Sequence, residues 1–244
     1  MTRVRLDSLL VQKGLCASLE IAKALIMSGR VRLHDTVLAK PGQLLDENFP
    51  LELKQKEQFV SRGGYKLQGA LDTFGCSFRG KIAMDVGAST GGFTDCLLQH
   101  GVQKVTCVDV GYGLLDMSLR NDPRVVIKEK MNARYITAES FDEVFDLITI
   151  DVSFISQKKI LPALMSCLNL HGQIISLVKP QFEVGKHQVG KGGVVRDEKL
   201  ILETVEDIIR FSETLQLKLK ATVPSVIKGP AGNQEYFVWL EKNN

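Results

Sequence analysis

The chain has 244 residues, 44% hydrophobic, 24% charged and 7% aromatic, with a formal net charge of +3. Balanced charge and evenly spread apolar residues exclude intrinsic disorder, and no apolar run reaches the ~18–20 residues of a membrane-spanning helix. The net charge is too slight to signal a nucleic-acid partner by itself. The first residues, Met1-Thr2-Arg3-Val4-Arg5-Leu6-Asp7, lead into no apolar core of the kind a secretory signal carries, so none is expected. Cys16, Cys76, Cys96, Cys107 and Cys167 are odd in number and scattered, without a CxxC pair. They read as reduced thiols of a cytoplasmic protein, with neither a disulfide frame nor a metal site.

In chain order, the first stretch is the basic one. Residues 1–34 hold Arg3, Arg5, Lys13, Lys23, Arg30 and Arg32 against Asp7 and Glu20, six against two and a local +4, whereas residues 61–244 hold 22 basic and 21 acidic side chains. Leu6, Leu9, Leu10 and Val11, then Ile21, Ala22, Leu25 and Ile26, recur at helical spacing. Ser18 is placed to cap the second helix and Gly29 to end it. Val31, Leu33, Val37 and Leu38 then flank a turn at Leu33-His34-Asp35-Thr36, and Pro41-Gly42 makes another. This predicts a small α+β domain over residues 1–58, closing in a polar stretch, Lys54-Gln55-Lys56-Glu57-Gln58. A linker and leading helix are expected over 59–80.

From residue 81 to 244 the rhythm changes. Apolar runs at 82–86, 105–110, 125–127, 147–150 and 174–178 alternate with stretches of helical period at 93–98, 160–168 and 200–211. That alternation predicts βαβ units and a parallel sheet covered on both faces. The last runs, 217–223 and 236–240, have only a Pro/Gly/Asn-rich link between them and are expected to pair antiparallel at the sheet edge. The fold class is therefore α/β, a Rossmann-like sheet that is parallel with an antiparallel edge strand, plus the small N-terminal domain.

The first strand of this sheet runs into Asp85-Val86-Gly87-Ala88-Ser89-Thr90-Gly91-Gly92-Phe93-Thr94. Glycines let a backbone turn sharply and let a ligand approach peptide groups. The nicotinamide fingerprint GxGxxG is absent, because Ala88-Ser89-Thr90 follows the first glycine. An acid two residues before that glycine is instead the pattern of S-adenosylmethionine (S-adenosyl-L-methionine) methyltransferases, whose ligand carries an ammonium group in need of a carboxylate. Asp109 ends the next strand, 24 residues after Asp85, where an acid binds ribose hydroxyls. Asn132 follows the third strand on the side expected for adenine. The expected cofactor set is Asp85, Gly87, Ala88, Ser89, Gly91, Phe93, Asp109, Val110, Asn132 and Asp151. The competing reading is a strand–turn–helix with no ligand.

A second group is dispersed in sequence: Lys66 before the first strand, Asp151 ending the fourth, Lys179 ending the fifth and Glu235 opening the last. The carboxyl ends of parallel strands form the ligand crevice of an open α/β sheet, so Asp151 and Lys179 should face it. Two lysines and two acids converging there would poise a lysine as a base; the competing reading is four unrelated surface charges. Residues 183–196 form a Gly-rich basic loop whose Lys186, Lys191 and Arg196 suit an anionic substrate. His34, His100, His171 and His187 have no ligand spacing and no triad arrangement.

These motifs closely resemble the hemolysin A (TlyA) family of ribosomal RNA 2'-O-methyltransferases, in the FtsJ-like class. Residues 3–60 resemble an S-four-type RNA-binding domain through Arg5-Leu6-Asp7-x-Leu9-Leu10, Gly14-Leu15, Gly29-x-Val31 and Lys40-Pro41-Gly42. Leu19 stands where a basic residue is usual, and Leu33-His34-Asp35 replaces a Val-Asn-Gly turn. Ser61-Arg62-Gly63-Gly64-Tyr65-Lys66, Asp151-Val152-Ser153-Phe154-Ile155-Ser156, Val178-Lys179-Pro180-Gln181-Phe182-Glu183 and Gly232-Asn233-Gln234-Glu235 match further family motifs. The resemblance implies a catalytic tetrad of Lys66, Asp151, Lys179 and Glu235. It implies S-adenosylmethionine as cofactor and a cytidine 2'-hydroxyl as acceptor, with Lys179 as its base or orienting group. It also implies ribosomal RNA or ribosomal subunits as partner, contacted through Arg3, Arg5, Lys13, Lys23, Arg30, Arg32, Lys186, Lys191 and Arg196. No membrane partner is expected, and no motif sets an oligomeric state. The alternatives are a membrane-active hemolysin and a non-catalytic RNA-binding assembly factor; an NAD oxidoreductase fails on glycine spacing.

Overall fold

The computed structural model describes residues 3–54 and 57–243. Part of the polar stretch that closes the first domain, Gln55 and Lys56, lies outside the described residues. The chain divides into two compact units, Met1–Gln58 and Phe59–Asn244. No helix among the described residues is long and apolar enough to cross a membrane.

In the first unit, β1 (Arg3–Arg5) pairs antiparallel with β4 (Leu44–Asp46), and β2 (Val31–Leu33) lies between β3 (Thr36–Val37) and β5 (Leu51–Leu53). Helices α1 (Leu6–Gln12) and α2 (Leu19–Met27) enclose a core of Leu6, Leu9, Leu10, Ala22, Ile26 and Val31. The Ser18 hydroxyl accepts from the Ile21 N–H, capping α2. Gly29, at φ +69, lets the chain leave that helix into β2. The strand β1 escapes periodicity, because three residues are too few to show an alternation.

The second unit carries a seven-stranded sheet. Its strands are β6 (Ile82–Val86), β7 (Lys104–Asp109), β8 (Val125–Glu129), β9 (Phe145–Ile150), β10 (Leu168–Val178), β11 (Leu217–Pro224) and β12 (Tyr236–Lys242), in the order β11-β12-β10-β9-β6-β7-β8. The five from β6 to β10 are parallel, and β12 runs antiparallel between β10 and β11. The terminal pair thus occupies one edge, with the reversed strand one place in from it. Helices α3 (Arg62–Phe74) and α4 (Gly92–Gln99) cover one face, packing on Ala83, Leu147, Ile175, Leu177 and Phe237. The other face buries Met84, Val86, Ile148, Ile150, Ile174 and Val178 under α6 (Leu161–Leu164) and α8 (Glu198–Thr214). Period-2 alternation on strands buried from both sides explains why these runs are apolar throughout.

One expected helix is mostly absent. Residues 160–168 form only the single turn α6 after a short 3-10 turn at Gln157–Lys159, and Leu168 already begins β10. The strand starts irregularly: pairing with β9 shifts register between Leu168 and Gln173, His171 takes φ +57, and a Cβ on Gly172 would lie 2.8 Å from the Asn169 carbonyl. Apolar spacing over nine residues does not separate one helical turn followed by a bulged strand from a helix. Short helices α5 (Met117–Arg120) and α7 (Pro180–Glu183) complete the unit.

Order reverses at β6, with β7 and β8 to one side and β9 and β10 to the other. The carboxyl ends of β6, β7, β9 and β10 therefore open around a switch point, where α/β sheets hold their ligands.

Candidate active site

The turn after β6 is organised by Asp85. Its carboxylate is fully buried and accepts from the Thr94 N–H (3.0 Å), the Thr94 hydroxyl (2.7 Å) and the Thr149 hydroxyl (2.9 Å). These bonds tie the start of α4 to β6 and β9. They also hold Asp85 in the core, where it borders a small hollow of about 180 Å³ with Gly87, Ser89, Asp151 and Lys179. Phe93 is likewise a core residue, 3% exposed with its ring 5.8 Å from that of Phe237. Gly91 sits at φ +94, and a Cβ there would collide with Leu119; Ala88 is buried in the same layer. These four positions shape the turn from beneath.

Burial pushes the Asp85 carboxyl up to about 6, against the opposing hydrogen bonds from Thr94 and Thr149. A carboxyl in the unfolded chain loses its proton near pH 4. Between those values the folded state holds a proton that the unfolded state has lost, so this group makes stability fall as pH rises from about 4 to about 6. The fall is roughly 2–3 kcal/mol. Urea unfolding across that window, with Asp85→Asn beside the parent, should show the downward slope in the parent relative to the variant. Parallel curves would contradict it.

Above this floor, Gly87 (φ +83) and Ser89 (φ +49) carry the chain over the strand end. A Cβ on Gly87 would lie 2.6 Å from the Asp151 carbonyl oxygen, so only glycine lets the two strand ends lie side by side. Asp109, at the end of β7, accepts from the Ser89 N–H (2.8 Å) and the Gly111 N–H (2.7 Å). It is held rigidly, with further lone pairs toward the cleft. Val110, Met131 and Asn132 line that cleft with Gly87, Ser89, Asp109 and Asp151, around a volume of about 770 Å³. The Asn132 side chain also accepts from the Arg134 N–H, which fixes its orientation.

A second cleft of about 710 Å³ adjoins the first. Lys66, Asp151, Lys179 and Glu235 all line it, and Asp151 is the one of the four that also lines the larger cleft. They meet as two ion pairs. Lys66 Nζ lies 2.6 Å from Glu235 Oε2, the side chains being 7% and 1% exposed. Lys179 Nζ lies 2.5 Å from Asp151 Oδ1 and donates to the Ser153 hydroxyl at 3.0 Å. The fold thus gathers residues from α3, the end of β9, the end of β10 and the start of β12.

The basic residues of the first unit differ in what is left to them. Arg3, Lys13 and Lys23 are exposed. The Arg5 guanidinium instead grips the buried Asp7 carboxylate through Nε (3.1 Å) and Nη2 (2.7 Å), holding Asp7 below the usual carboxylate range, so its first role is to anchor the start of α1. Arg30 donates to the Lys54 carbonyl, and Arg32 is half-buried. In the second unit Lys186, Lys191 and Arg196 are exposed on the expected loop, which Asn233 fastens by bonds with the Gly193 carbonyl and the Val195 N–H.

Several residues at the clefts carry no signal of their own in sequence. Ser153 holds the Lys179 ammonium, and Gln181 donates to Glu235 at 3.4 Å. Phe154 is 90% exposed at φ +65, with its ring 4.9 Å from that of Phe182, and both line the two clefts. All lie in the motif stretches around Asp151 and Lys179.

The model of the FtsJ-like methyltransferases matches residues 59–242, and that of the S4 domain matches residues 4–48. The chain is 45% identical over 240 residues to the 16S/23S rRNA (cytidine-2'-O)-methyltransferase TlyA of Mycobacterium tuberculosis, covering 98% of this chain and 90% of that one. It is 40% identical over 235 residues to Hemolysin A of Brachyspira hyodysenteriae, covering 96% and 98%. A solved structure bearing the hemolysin name, from Streptococcus thermophilus, superposes with a TM-score of 0.76 at 40% identity over 100% of this chain and 90% of that one. The N-methyltransferase NodS of Bradyrhizobium japonicum matches with a TM-score of 0.51 over 75% and 95%; at 14% identity it shares the fold alone. The chain therefore belongs to the FtsJ-like methyltransferases, in the group named TlyA or hemolysin A, and is an S-adenosylmethionine-dependent enzyme.

Proposed function

We propose that this chain transfers the methyl group of S-adenosylmethionine to the 2'-hydroxyl of a cytidine in ribosomal RNA, in the cytoplasm. The observation that carries the reading is the seam between the clefts: four charged side chains from separate stretches line one cleft, and Asp151 also borders the other. The names of two 45% identical relatives support ribosomal RNA as substrate, and one of them specifies the cytidine 2'-oxygen.

The residues of the larger cleft fit the cofactor. Asp109, pre-oriented by two backbone N–H groups, suits a ribose diol; Val110, Met131 and Asn132 suit the adenine; the 87–89 turn admits the close approach of the methionine end. When bound, the cofactor supplies a methyl group already activated on a sulfonium sulfur, so positioning the acceptor is the main task left to the protein.

Lys179 is ion-paired with Asp151 and donates to the Ser153 hydroxyl, and it lines the cleft that would take the ribose. As the 2'-oxygen takes the methyl group, its proton passes to the lone pair of the Lys179 amine, and Asp151 balances the ammonium charge that forms. Lys66 and Glu235 neutralise each other in the wall of the cleft. Arg3, Lys13 and Lys23 in the first unit, with Lys186, Lys191 and Arg196 in the second, offer phosphate contacts that place the RNA without reading its sequence.

Mapping of ribose methylation in ribosomal RNA from cells with and without the gene tests the reading. Deletion should remove at least one 2'-O-methylcytidine, and the intact gene should restore it. An unchanged map would overturn the assignment.

A further inference from the structure

Gln157 lies in the connection after Asp151, among residues that are mostly half-buried or exposed, yet is itself 1% exposed. Its side chain reaches into β10. The amide Nε2 donates to the Leu177 carbonyl at 2.8 Å, and Oε1 accepts from the Ser176 hydroxyl at 2.6 Å. A carbonyl only accepts, so the amide has one orientation that serves both partners.

The position of this contact follows from the sheet. Strand β9 ends at Ile150, paired with Ser176. Beyond that pair β10 continues to Val178 with β12 on one side and no strand on the other. Gln157 supplies to Leu177 the bond that a longer β9 would have supplied. Lys179 comes two residues later.

The same residue holds the chain beyond Lys179. Its backbone N–H donates to Glu183 Oε1 at 2.9 Å, and Glu183 ends the one-turn helix α7 that begins at Pro180. Gln157 therefore grips the chain on both sides of Lys179, by its side chain at 176–177 and by its main chain at 183. The connection it belongs to also carries Asp151 and Ser153, which hold the Lys179 ammonium.

We infer that Gln157 and Glu183 are positioning residues that fix the Lys179–Asp151 pair at the seam between the two clefts. They touch neither cofactor nor RNA; they set where the strand end carrying Lys179 sits relative to the connection carrying Asp151. The inference rests on the methyl-transfer reading for its effect on turnover, and on geometry alone for its effect on Lys179.

Two readouts on the full chain keep these apart. The first is the rate at which acetic anhydride acylates Lys179, followed by peptide mass spectrometry, which needs no RNA or cofactor. Gln157→Met keeps the length and removes both side-chain bonds, and should make Lys179 acylate severalfold faster at a temperature where the protein stays folded. Glu183→Leu should do the same. Glu183→Gln keeps an acceptor for the Gln157 N–H and should acylate like the parent. The second readout is methyl transfer to ribosomal RNA. Gln157→Met should lose on the order of tenfold to a hundredfold in kcat, the effect of a small misplacement at a reacting centre. Its KM values should stay within about twofold, and Glu183→Gln should keep near-parental kcat. Unchanged acylation of Lys179 in folded Gln157→Met would overturn the inference. So would a parental kcat in that variant, or a Glu183→Gln variant as impaired as Glu183→Leu. A parent that transfers no methyl group to RNA, with the acylation differences intact, would overturn the methyl-transfer reading and leave the positioning role standing.

Discussion

Lys179→Ala should reduce methyl transfer by about a hundredfold to ten-thousandfold, the range in which a proton-transferring side chain contributes. Its affinities for S-adenosylmethionine and RNA should stay within about threefold of the parent. The reason is placement. Lys179 follows a strand buried on both faces, and its ammonium reaches the seam at 11% exposure, held by Asp151 and Ser153. An interaction made only with the reacting hydroxyl appears in kcat and leaves binding alone. Stability should change little, because Asp151 is 24% exposed and rehydrates when its partner is gone. Lys179→Arg should be as poor as alanine, since a guanidinium neither deprotonates in proteins nor fits the same contacts. Single-turnover kinetics with saturating RNA, beside cofactor titration, measures all of this. Near-parental turnover by the arginine variant would show that charge and orientation suffice, without proton removal.

Lys66→Met should be costly in a different quantity. Lys66 and Glu235 form an ion pair 7% and 1% exposed, and removing one member leaves the other charge in a site that water hardly reaches. Breaking such a pair destabilises by about 3–5 kcal/mol. Replacing both, Lys66→Met with Glu235→Leu, should recover most of that loss, because well-packed apolar side chains substitute for a buried pair at little net cost. Urea midpoints of the parent, the single and the double variant measure this coupling. Methyl transfer should stay impaired in the double variant, which separates folding from function. A Lys66→Met protein as stable as the parent would show that Glu235 is relieved by another partner, with Gln181, 3.4 Å away, the nearest candidate.

What could be read in the chain and what could not follows physical lines. Strands buried on both faces betray themselves as apolar runs, so β6, β7 and β9 are legible to within two residues, and so is the carboxyl end of β10. Charges that directly continue such runs, Asp109, Asp151 and Lys179, stand out because a strand end in an open sheet has one place to point. Lys66 and Glu235, on other elements, meet only through the fold. The opening of β10 is hidden because a bulge at His171-Gly172 mimics helical spacing. Asp85 and Phe93 share a motif with the glycines of the turn but pack in the core, and a motif does not say which of its side chains is buried. Ser153, Gln157 and Gln181 are ordinary polar residues in connections; their value lies in three-dimensional neighbours 19 to 54 positions away. Arg5 looks like a phosphate contact until Asp7, two residues on and 2% exposed, takes its guanidinium.

The most direct measurement is the chemical position of the transferred methyl group. The purified chain would be incubated with S-adenosylmethionine labelled in its methyl group and with ribosomal RNA or subunits from cells lacking the gene. The RNA would then be digested to nucleosides and the label located by mass spectrometry. The proposed transfer to a cytidine 2'-hydroxyl predicts label in 2'-O-methylcytidine. Label on a base, or no label in RNA from an enzyme that binds the cofactor, would contradict it.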